Sequence, residues 1–346
     1  MDRDRSGRAR PQGRATLKLR GDQRRDASEK RGSVKGTRGH ARRRERPPVK
    51  VWLSIFGSLL IVAVLLVLSP ISVALATPHG CRDVMFIGAR GSGEPLQVKK
   101  NGQMVTVFHG VGKPIDYMAG LLEQDVKNYG EEMGILPVTY SADSVDELKP
   151  SKTEFAEMAA AGLGGVAGLT GAAGIYYERN LKPYEASIAH GVSATIDEIH
   201  AVLSGCPETE IVLAGYSQGA MAIHQAELQL ERDGDEEALD AIGGTLLLGD
   251  GDRAPNTQAK IFGGAPVGGE GVQVYFRRFK PLDIVEPETT AEICVRGDIV
   301  CDFKLHLDSA FYSDGTHVHS SYDIEPQQVY LRQAVTWLAG EMGLTG

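Results

Sequence analysis

The sequence contains few cysteines and lacks the cysteine and histidine spacings that bind metal. Only four cysteines occur among 346 residues, and no two of them form a C-x-x-C pair. An H-E-x-x-H helix pattern is also absent. Because these patterns are the usual sequence signs of a zinc site, we expect no metal to be bound.

The first 50 residues lack aromatic side chains and apolar periodicity. They hold 18 Lys and Arg against 6 Asp and Glu, whereas the remaining 296 residues hold 19 basic and 39 acidic groups. Such a segment cannot bury a core, so we expect residues 1–50 to form a disordered basic tail. Without interleaved aromatic residues we expect no nucleic-acid partner. Alternatively, translation starts at Val49 or Val51 and the tail is not made.

The segment Val51–Ala76 contains no charged residue in 26 positions. As a helix it is long enough to cross the roughly 30 Å hydrocarbon core of a bilayer. The basic residues before it predict that its N-terminal side is cytoplasmic and that the following chain is exported. Its last residues, Ala74-Leu75-Ala76, have the form of a signal-peptidase site. The segment is therefore a signal peptide or a transmembrane anchor, and the protein is secreted or attached to the cell envelope.

All four cysteines follow this apolar segment, in what should be an oxidising compartment. We therefore predict two disulfides, for which the sequence alone permits three connectivities. The short spacing between Cys294 and Cys301 favours one bridge between them, which leaves Cys81 with Cys206.

Residues 77–346 are numerous enough for one large domain. Short apolar runs predict buried strands, and longer runs with apolar residues at i, i+3 and i+4 predict helices. The predicted strands are Asp83–Ala89, Ile135–Tyr140, Ile211–Gly215 and Thr245–Gly249; the predicted helices begin at Lys113, Tyr184, Ala220 and Glu325. This alternation predicts an α/β fold, a three-layer α/β/α sandwich with a central, mainly parallel sheet.

The segment Glu154–Asn180 is rich in Ala and Gly and is almost uncharged in its centre. It is either a small-residue helix or loop packed on the domain, or a mobile flap beside a cleft that faces lipid. The sequence does not separate these two interpretations.

The stretch "IVLAGYSQGA" (Ile211–Ala220) places Ser217 between two glycines directly after a predicted strand. Gly215 and Gly219 would leave a sharp strand-to-helix turn free of Cβ atoms, so that Ser217 projects from the sheet as a nucleophile. The backbone N–H of Gln218, at the N-terminus of the next helix, would then face a developing oxyanion.

A catalytic serine needs a histidine base and a carboxylate that orients this base. In α/β hydrolases both follow the serine in the order Asp, His. The carboxylate candidates are Asp298, inside the Cys294–Cys301 loop, and Asp302, just outside it. The candidates for the base are His306, His317 and His319.

Four sequence boxes in this order resemble the cutinase family of serine esterases, which are α/β hydrolases. They are "CRDVMFIGARGSGE" (Cys81–Glu94), "GYSQG" around Ser217, "CVRGDIVC" around Asp298 and "HSSY" (His319–Tyr322). The resemblance puts Cys206 at the position of the partner of Cys81. It also favours His319 over His317, although the spacing from Asp298 to His319 is long and keeps His317 open.

The resemblance implies a Ser217–Asp298–His319 triad and an oxyanion hole formed by Ser92 and Gln218. It implies ester hydrolysis through an acyl-enzyme, without a metal or organic cofactor, on acyl esters, lipids or polyesters. One alternative is an acyltransferase that passes the same acyl group to envelope lipids, and another is a non-catalytic lipid-binding module. We expect a monomer, with Glu94 in a structural role.

Overall fold

The computed structural model describes residues 80–145, 177–276, 281–304 and 309–344. The predicted tail 1–50 and the apolar segment Val51–Ala76 lie outside these ranges. Of the Ala/Gly-rich segment, only residues 177–180 are described. None of the helices in the described ranges has the length and apolar character needed to span a bilayer. The boundaries predicted for tail, leader and domain stay predictions.

The strands of the described residues form a six-stranded sheet and a separate hairpin. The strands are β1 (Val84–Ala89), β2 (Gln97–Lys100), β3 (Gln103–Thr106), β4 (Met133–Pro137), β5 (Glu210–Tyr216), β6 (Ile242–Leu248), β7 (Lys260–Phe262) and β8 (Thr290–Ile293). The six-stranded sheet has the order β4-β1-β5-β6-β8-β7, and all of its pairings are parallel. Strands β2 and β3 form the antiparallel hairpin.

Helices connect these strands. A 3₁₀ turn at Phe108–Gly110 precedes the first helix, and a π-helical turn at Tyr177–Leu181 precedes the second. The α-helices are α1 (Lys113–Tyr129), α2 (Lys182–Gly205), α3 (Gln218–Asp233), α4 (Glu236–Ala241), α5 (Val272–Phe276), α6 (Ser309–His319) and α7 (Gln328–Glu341).

The central sheet is covered on both faces, and alternate strand residues point to opposite faces. Phe86 of β1 packs in a core with residues of α1 and α7. Its neighbour Ile87 packs in a second core with residues of α2 and α3. Both faces of these strands are apolar because each face is buried against helices in one of the two cores. The predicted α/β sandwich with a mainly parallel sheet is confirmed.

Some predicted boundaries differ from the observed ones. Strand β4 ends at Pro137, so that Tyr140 lies outside the sheet instead of at the end of a strand. The reason is a pair of hydrogen bonds with Arg90. The Arg90 guanidinium donates to the Tyr140 carbonyl oxygen, and the Tyr140 hydroxyl donates to the Arg90 carbonyl oxygen. The last helix begins at Gln328, three residues after the predicted Glu325.

Two disulfides join the four cysteines. Cys81, just before β1, is bonded to Cys206, the residue after α2, across a sequence separation of 125 residues. Cys294 and Cys301 are bonded to each other and close a loop directly after β8. The second bridge fixes a short chain segment at the carboxyl edge of the sheet.

Candidate active site

Four neighbouring parallel strands, β1, β5, β6 and β8, end at the same edge of the sheet. The loops that follow carry Ser92, Ser217, Gly249 and Asp298, in that order. In open parallel sheets, ligands bind outside the carboxyl ends of the strands. The fold therefore brings side chains from distant parts of the sequence to one place.

Ser217 lies on a sharp turn between β5 and α3. Its backbone is in an unusual conformation, with φ 56° and ψ −115°, and its N–H donates to the Leu248 carbonyl at 2.8 Å. The turn needs the two glycines: a Cβ on Gly215 would lie 2.4 Å from the Gly219 oxygen, and one on Gly219 would lie 2.2 Å from the Ala89 oxygen. Strain of this kind is characteristic of a nucleophile turn.

His319 connects Ser217 with Asp298. Its Nε2 lies 2.9 Å from Ser217 Oγ, and its Nδ1 lies 2.9 and 3.0 Å from the two oxygens of Asp298. The ring is stacked on that of Tyr216, with centroids 5.2 Å apart. The Tyr216 hydroxyl also donates to the His319 carbonyl at 2.7 Å. These contacts hold the imidazole between the serine and the carboxylate.

Asp298 is fully buried and accepts several hydrogen bonds besides that of His319. The backbone N–H groups of Val300 and Cys301 donate to its Oδ1 at 2.7 and 3.3 Å. The Tyr322 hydroxyl donates to its Oδ2 at 2.7 Å. Burial, together with the nearby Asp298 charge, raises the pKa of Tyr322 well above its usual value, so this phenol stays protonated. These donors and His319 hold the Asp298 carboxylate in one orientation.

The other candidates for the carboxylate and the base are Asp302, His317 and His306, and none of those described is hydrogen-bonded to Ser217 in the structure. Asp302 accepts from the Gly297 N–H at 2.9 Å and fixes the turn before Asp298. The His317 side chain is exposed, and its carbonyl oxygen accepts from the hydroxyl groups of Ser320 and Ser321. His306 lies outside the described residues. The structure thus brings together Ser217, His319 and Asp298.

Ser92 lies in a tightly held loop after β1. The Glu94 carboxylate accepts from the N–H groups of Gly91 and Lys113 at 2.7 and 3.0 Å. Burial raises the pKa of Glu94, while these two hydrogen bonds oppose the rise. The buried Arg90 guanidinium donates to the Glu94 carbonyl at 2.8 Å. Glu94 therefore holds the loop in place.

Gln218, the other predicted oxyanion residue, is the first residue of α3 and is fully buried. The first N–H groups of a helix have no partner within the helix, so its backbone N–H can bind an anion. Its side-chain Oε1 accepts from Ser187 Oγ at 3.3 Å. Ser92 Oγ lies 3.1 Å from the Tyr184 hydroxyl.

Three tyrosines of the site, Tyr184, Tyr216 and Tyr322, were not predicted from the sequence. Tyr216 and Tyr322 stand within the boxes "GYSQG" and "HSSY", so a signal for them was present. Tyr184 stands at an apolar position of a helix pattern, where a tyrosine is typical of a core.

In the described part of the chain, one cluster has the composition of a metal site. Ligand atoms of His224, Asp250 and Asp252 lie within 4.8 Å of one another. However, His224 Nδ1 lies 2.8 Å from Asp250 and its Nε2 lies 3.0 Å from the Asp283 carbonyl oxygen. Burial is the largest single effect and opposes a charge on His224, but the charges of Asp250 and Asp252 and the hydrogen bonds to Asp250 and Asp283 together outweigh it and raise the pKa of His224 to about 10. An imidazolium has no lone pair for a metal, so this cluster fits an ion pair.

The parallel sheet, the serine on a strained turn after β5, and the aspartate and histidine that follow it in the chain define an α/β hydrolase. The sequence model of the family described as "Cutinase" matches residues 150–342. The chain belongs to the cutinase family, and the resemblance in its sequence boxes is confirmed.

Individual relatives match only parts of the chain. A cutinase of Hypocrea jecorina is 36% identical over 75 residues, which are 20% of this chain and 29% of that protein. The carboxylesterase Culp6 homolog of Corynebacterium glutamicum is 24% identical over 43% of this chain and 54% of its own length. The chain thus spans about half or less of these relatives. A solved cutinase-like protein from Cryptococcus sp. is 20% identical, with a TM-score of 0.46 over 78% of this chain and 98% of its own.

Proposed function

We propose that this protein is an exported carboxylic-ester hydrolase that uses Ser217 as its nucleophile. The observation that carries the proposal is the chain of hydrogen bonds from Ser217 Oγ to His319 Nε2, at 2.9 Å, and from His319 Nδ1 to Asp298, at 2.9 Å. A serine hydroxyl becomes a useful nucleophile when an oriented imidazole can accept its proton.

In the first half of the reaction, Ser217 Oγ attacks the ester carbonyl carbon and His319 Nε2 takes the hydroxyl proton. The Asp298 carboxylate, bonded to His319 Nδ1, stabilises the resulting imidazolium. His319 then gives the proton to the leaving alcohol, and the acyl group stays on Ser217. In the second half, water attacks the acyl-enzyme, His319 takes its proton, and the acid is released as Ser217 recovers its hydrogen.

The tetrahedral intermediates place negative charge on the former carbonyl oxygen. We assign its stabilisation to Ser92 and to the backbone N–H of Gln218. Preorganised donors of this kind each contribute about 10²–10³-fold to kcat in serine hydrolases. The rigid loop around Glu94 and the position of Gln218 at the start of α3 support the assignment.

The proposed substrates are acyl esters, including lipids and polyesters. The named relatives are a cutinase and a carboxylesterase homolog, which supports an ester but leaves its acyl chain open. Two disulfides in the folded domain support an oxidising compartment and therefore export. The uncharged segment Val51–Ala76 supplies the export signal or anchor.

Labelling with a fluorophosphonate probe tests the nucleophile. We expect the wild-type protein to be labelled and Ser217→Ala to lose both the label and the hydrolysis of p-nitrophenyl butyrate. Ser193→Ala is the matched control, because Ser193 is exposed on α2 and its hydroxyl bonds only within that helix. A wild-type protein that is folded but neither labelled nor active would refute the proposal.

A series of p-nitrophenyl esters from C2 to C16 tests the substrate class. If lipids are substrates, we expect hydrolysis to extend to the long acyl chains. An optimum at C2–C4 without long-chain activity would contradict the lipid assignment but would leave the esterase mechanism standing.

A further inference from the structure

The hydroxyl group of Tyr184 is buried against the candidate oxyanion site. Tyr184 stands in the first turn of α2, and only 7% of its surface is exposed. Its ring belongs to a buried apolar cluster that also contains Ile188, Val192 and Met221. Its oxygen lies 3.1 Å from Ser92 Oγ. The apolar packing fixes the ring, so the position of this hydroxyl is set by the core.

The same hydroxyl also interacts with Gln218. Burial raises the pKa of Tyr184 to about 12, and the nearby polar side chains of Ser92 and Gln218 oppose this rise. Among the described residues, the buried Gln218 Nε2 has no hydrogen-bond partner, while its Oε1 accepts from Ser187 Oγ. One neutral phenol thus stands between the side chains of the two residues that we assign to the oxyanion hole.

A serine hydroxyl has a single proton to donate. If the Ser92 hydroxyl donates to Tyr184, no donor remains on this side chain for an oxyanion. If Tyr184 donates instead, Ser92 Oγ accepts and its own proton is free to point at the substrate. The buried Gln218 Nε2 is an unpartnered donor near the Tyr184 oxygen, so it favours the arrangement in which this oxygen accepts and the Tyr184 proton points to Ser92.

We propose that Tyr184 is a positioning residue for the oxyanion hole: it donates to Ser92 Oγ, so that the Ser92 proton is held ready for the developing oxyanion. This inference rests on the proposed ester hydrolysis. Tyr184 does not touch the substrate in this role and acts through Ser92.

Tyr184→Phe removes the hydroxyl and keeps the ring that fills the core. We expect kcat for p-nitrophenyl butyrate to fall about tenfold, with KM changed less than about twofold, because the loss concerns charge that develops only in the transition state. Total fluorophosphonate label at completion counts the competent sites, so kcat is expressed per labelled site and does not depend on the folded fraction.

The double variant identifies the route of the effect. In a Ser92→Ala background, which keeps the backbone N–H, we expect Tyr184→Phe to change kcat less than about twofold. Tyr117→Phe is the matched control: it also removes one hydroxyl that bonds to one side chain, Arg332, and it should leave kcat unchanged.

Two results would overturn the inference. One is an unchanged kcat in Tyr184→Phe, and the other is the same loss in the presence and absence of the Ser92 hydroxyl. Both leave the esterase proposal intact as long as Ser217→Ala is inactive. Activity in Ser217→Ala would instead refute the function itself.

Discussion

Two histidine–aspartate pairs have their carboxylates in the loops after strands β8 and β6, and they differ in what the second nitrogen of the imidazole contacts. His319 and His224 both present Nδ1 to a buried carboxylate, that of Asp298 and that of Asp250. The other nitrogen, Nε2, faces Ser217 Oγ in the first pair and the Asp283 carbonyl oxygen in the second. The His319 side chain is 13% exposed and that of His224 is 1% exposed.

This difference shows that an oriented histidine is not by itself a catalytic group. His224 donates to oxygen acceptors on both sides, and the pKa of about 10 keeps its charge at neutral pH, so it cannot accept a proton. His319 has a carboxylate on one side and a hydroxyl group on the other. Only the arrangement around His319 allows a proton to move between the imidazole and a reacting group.

The same substitution at both histidines should separate their roles most strongly. We expect His319→Phe to lower kcat/KM about 10⁴-fold or more, since it removes the proposed general base. We expect His224→Phe to lower the free energy of unfolding by about 3–5 kcal/mol, because Asp250 is left as a buried charge without its partner. Ester hydrolysis and urea unfolding measure the two effects.

His317→Phe is the control for the first variant, because the His317 side chain is exposed and contributes only its carbonyl oxygen to described contacts. Its activity should equal that of the wild type. A folded His319→Phe with normal activity, or a His317→Phe without activity, would move the base to His317. A stable His224→Phe would show that the buried pair contributes little.

Gly249→Ala should disturb only the His319 pair. Gly249 has a φ of +61°, and a Cβ there would lie 2.8 Å from His319 Cε1. Displacing the imidazole by a fraction of an ångström should lower kcat/KM by about 10–100-fold. Gly234→Ala is the control: Gly234 has a similar φ of +71°, but nothing lies within 4 Å of the added Cβ. This variant therefore has the same kind of backbone strain as Gly249→Ala without the steric contact. Equal activity in the two variants would contradict the expectation.

Glu227→Gln should have the smallest effect, and it concerns the surroundings of His224. Glu227 is buried on α3 and accepts from Thr245 Oγ1 at 2.8 Å. Burial raises the pKa of Glu227 to about 7, against the opposing effects of Thr245 and His224; Glu286 and Asp250 act with burial. Ionisation of the Glu227 carboxyl above pH 7 therefore lowers the free energy of unfolding of the wild-type protein. The Glu227→Gln variant has no such ionisation and keeps this stability.

The sign follows from proton binding. Between the usual pKa of about 4.5 and the folded pKa of about 7, the folded protein binds more protons than the unfolded chain, so stability falls as pH rises and then levels off. We expect Glu227→Gln to raise the melting temperature by a few degrees at pH 8 and to leave it unchanged at pH 5. The exposed Glu231→Gln is the control. An equal gain at both pH values would contradict this reasoning.

The sequence was informative where a local pattern has one structural solution. Ser217 lies between two glycines that only a sharp turn requires, and Asp298 lies between two cysteines that close a short loop. The strands β1, β5 and β6 are six or seven residues long and mostly buried, which is enough for a clear signal. These elements place Ser217, the proposed nucleophile, and Asp298 at the same sheet edge.

Other parts depend on contacts that no local pattern encodes. Strands β7 and β8 have three and four residues, too few for periodicity, and β8 carries the buried Glu292, which interrupts its apolar run. Glu292 is tolerated there because Arg253, from a distant loop, bonds to it at 3.3 Å. The proposed positioning role of Tyr184 likewise depends on its contact with Ser92, which is 92 positions away in the chain.

The bridge between Cys81 and Cys206 has a consequence for proteolysis. The segment that it closes contains the loop of Ser92, helix α1 and strand β4, whereas Ser217, Asp298 and His319 follow it. A single cut anywhere between the two cysteines leaves both fragments joined by a covalent bond. The nicked protein would migrate as one species until a reductant divides it, and the loop of Ser92 would stay tethered to the part of the chain that carries Ser217.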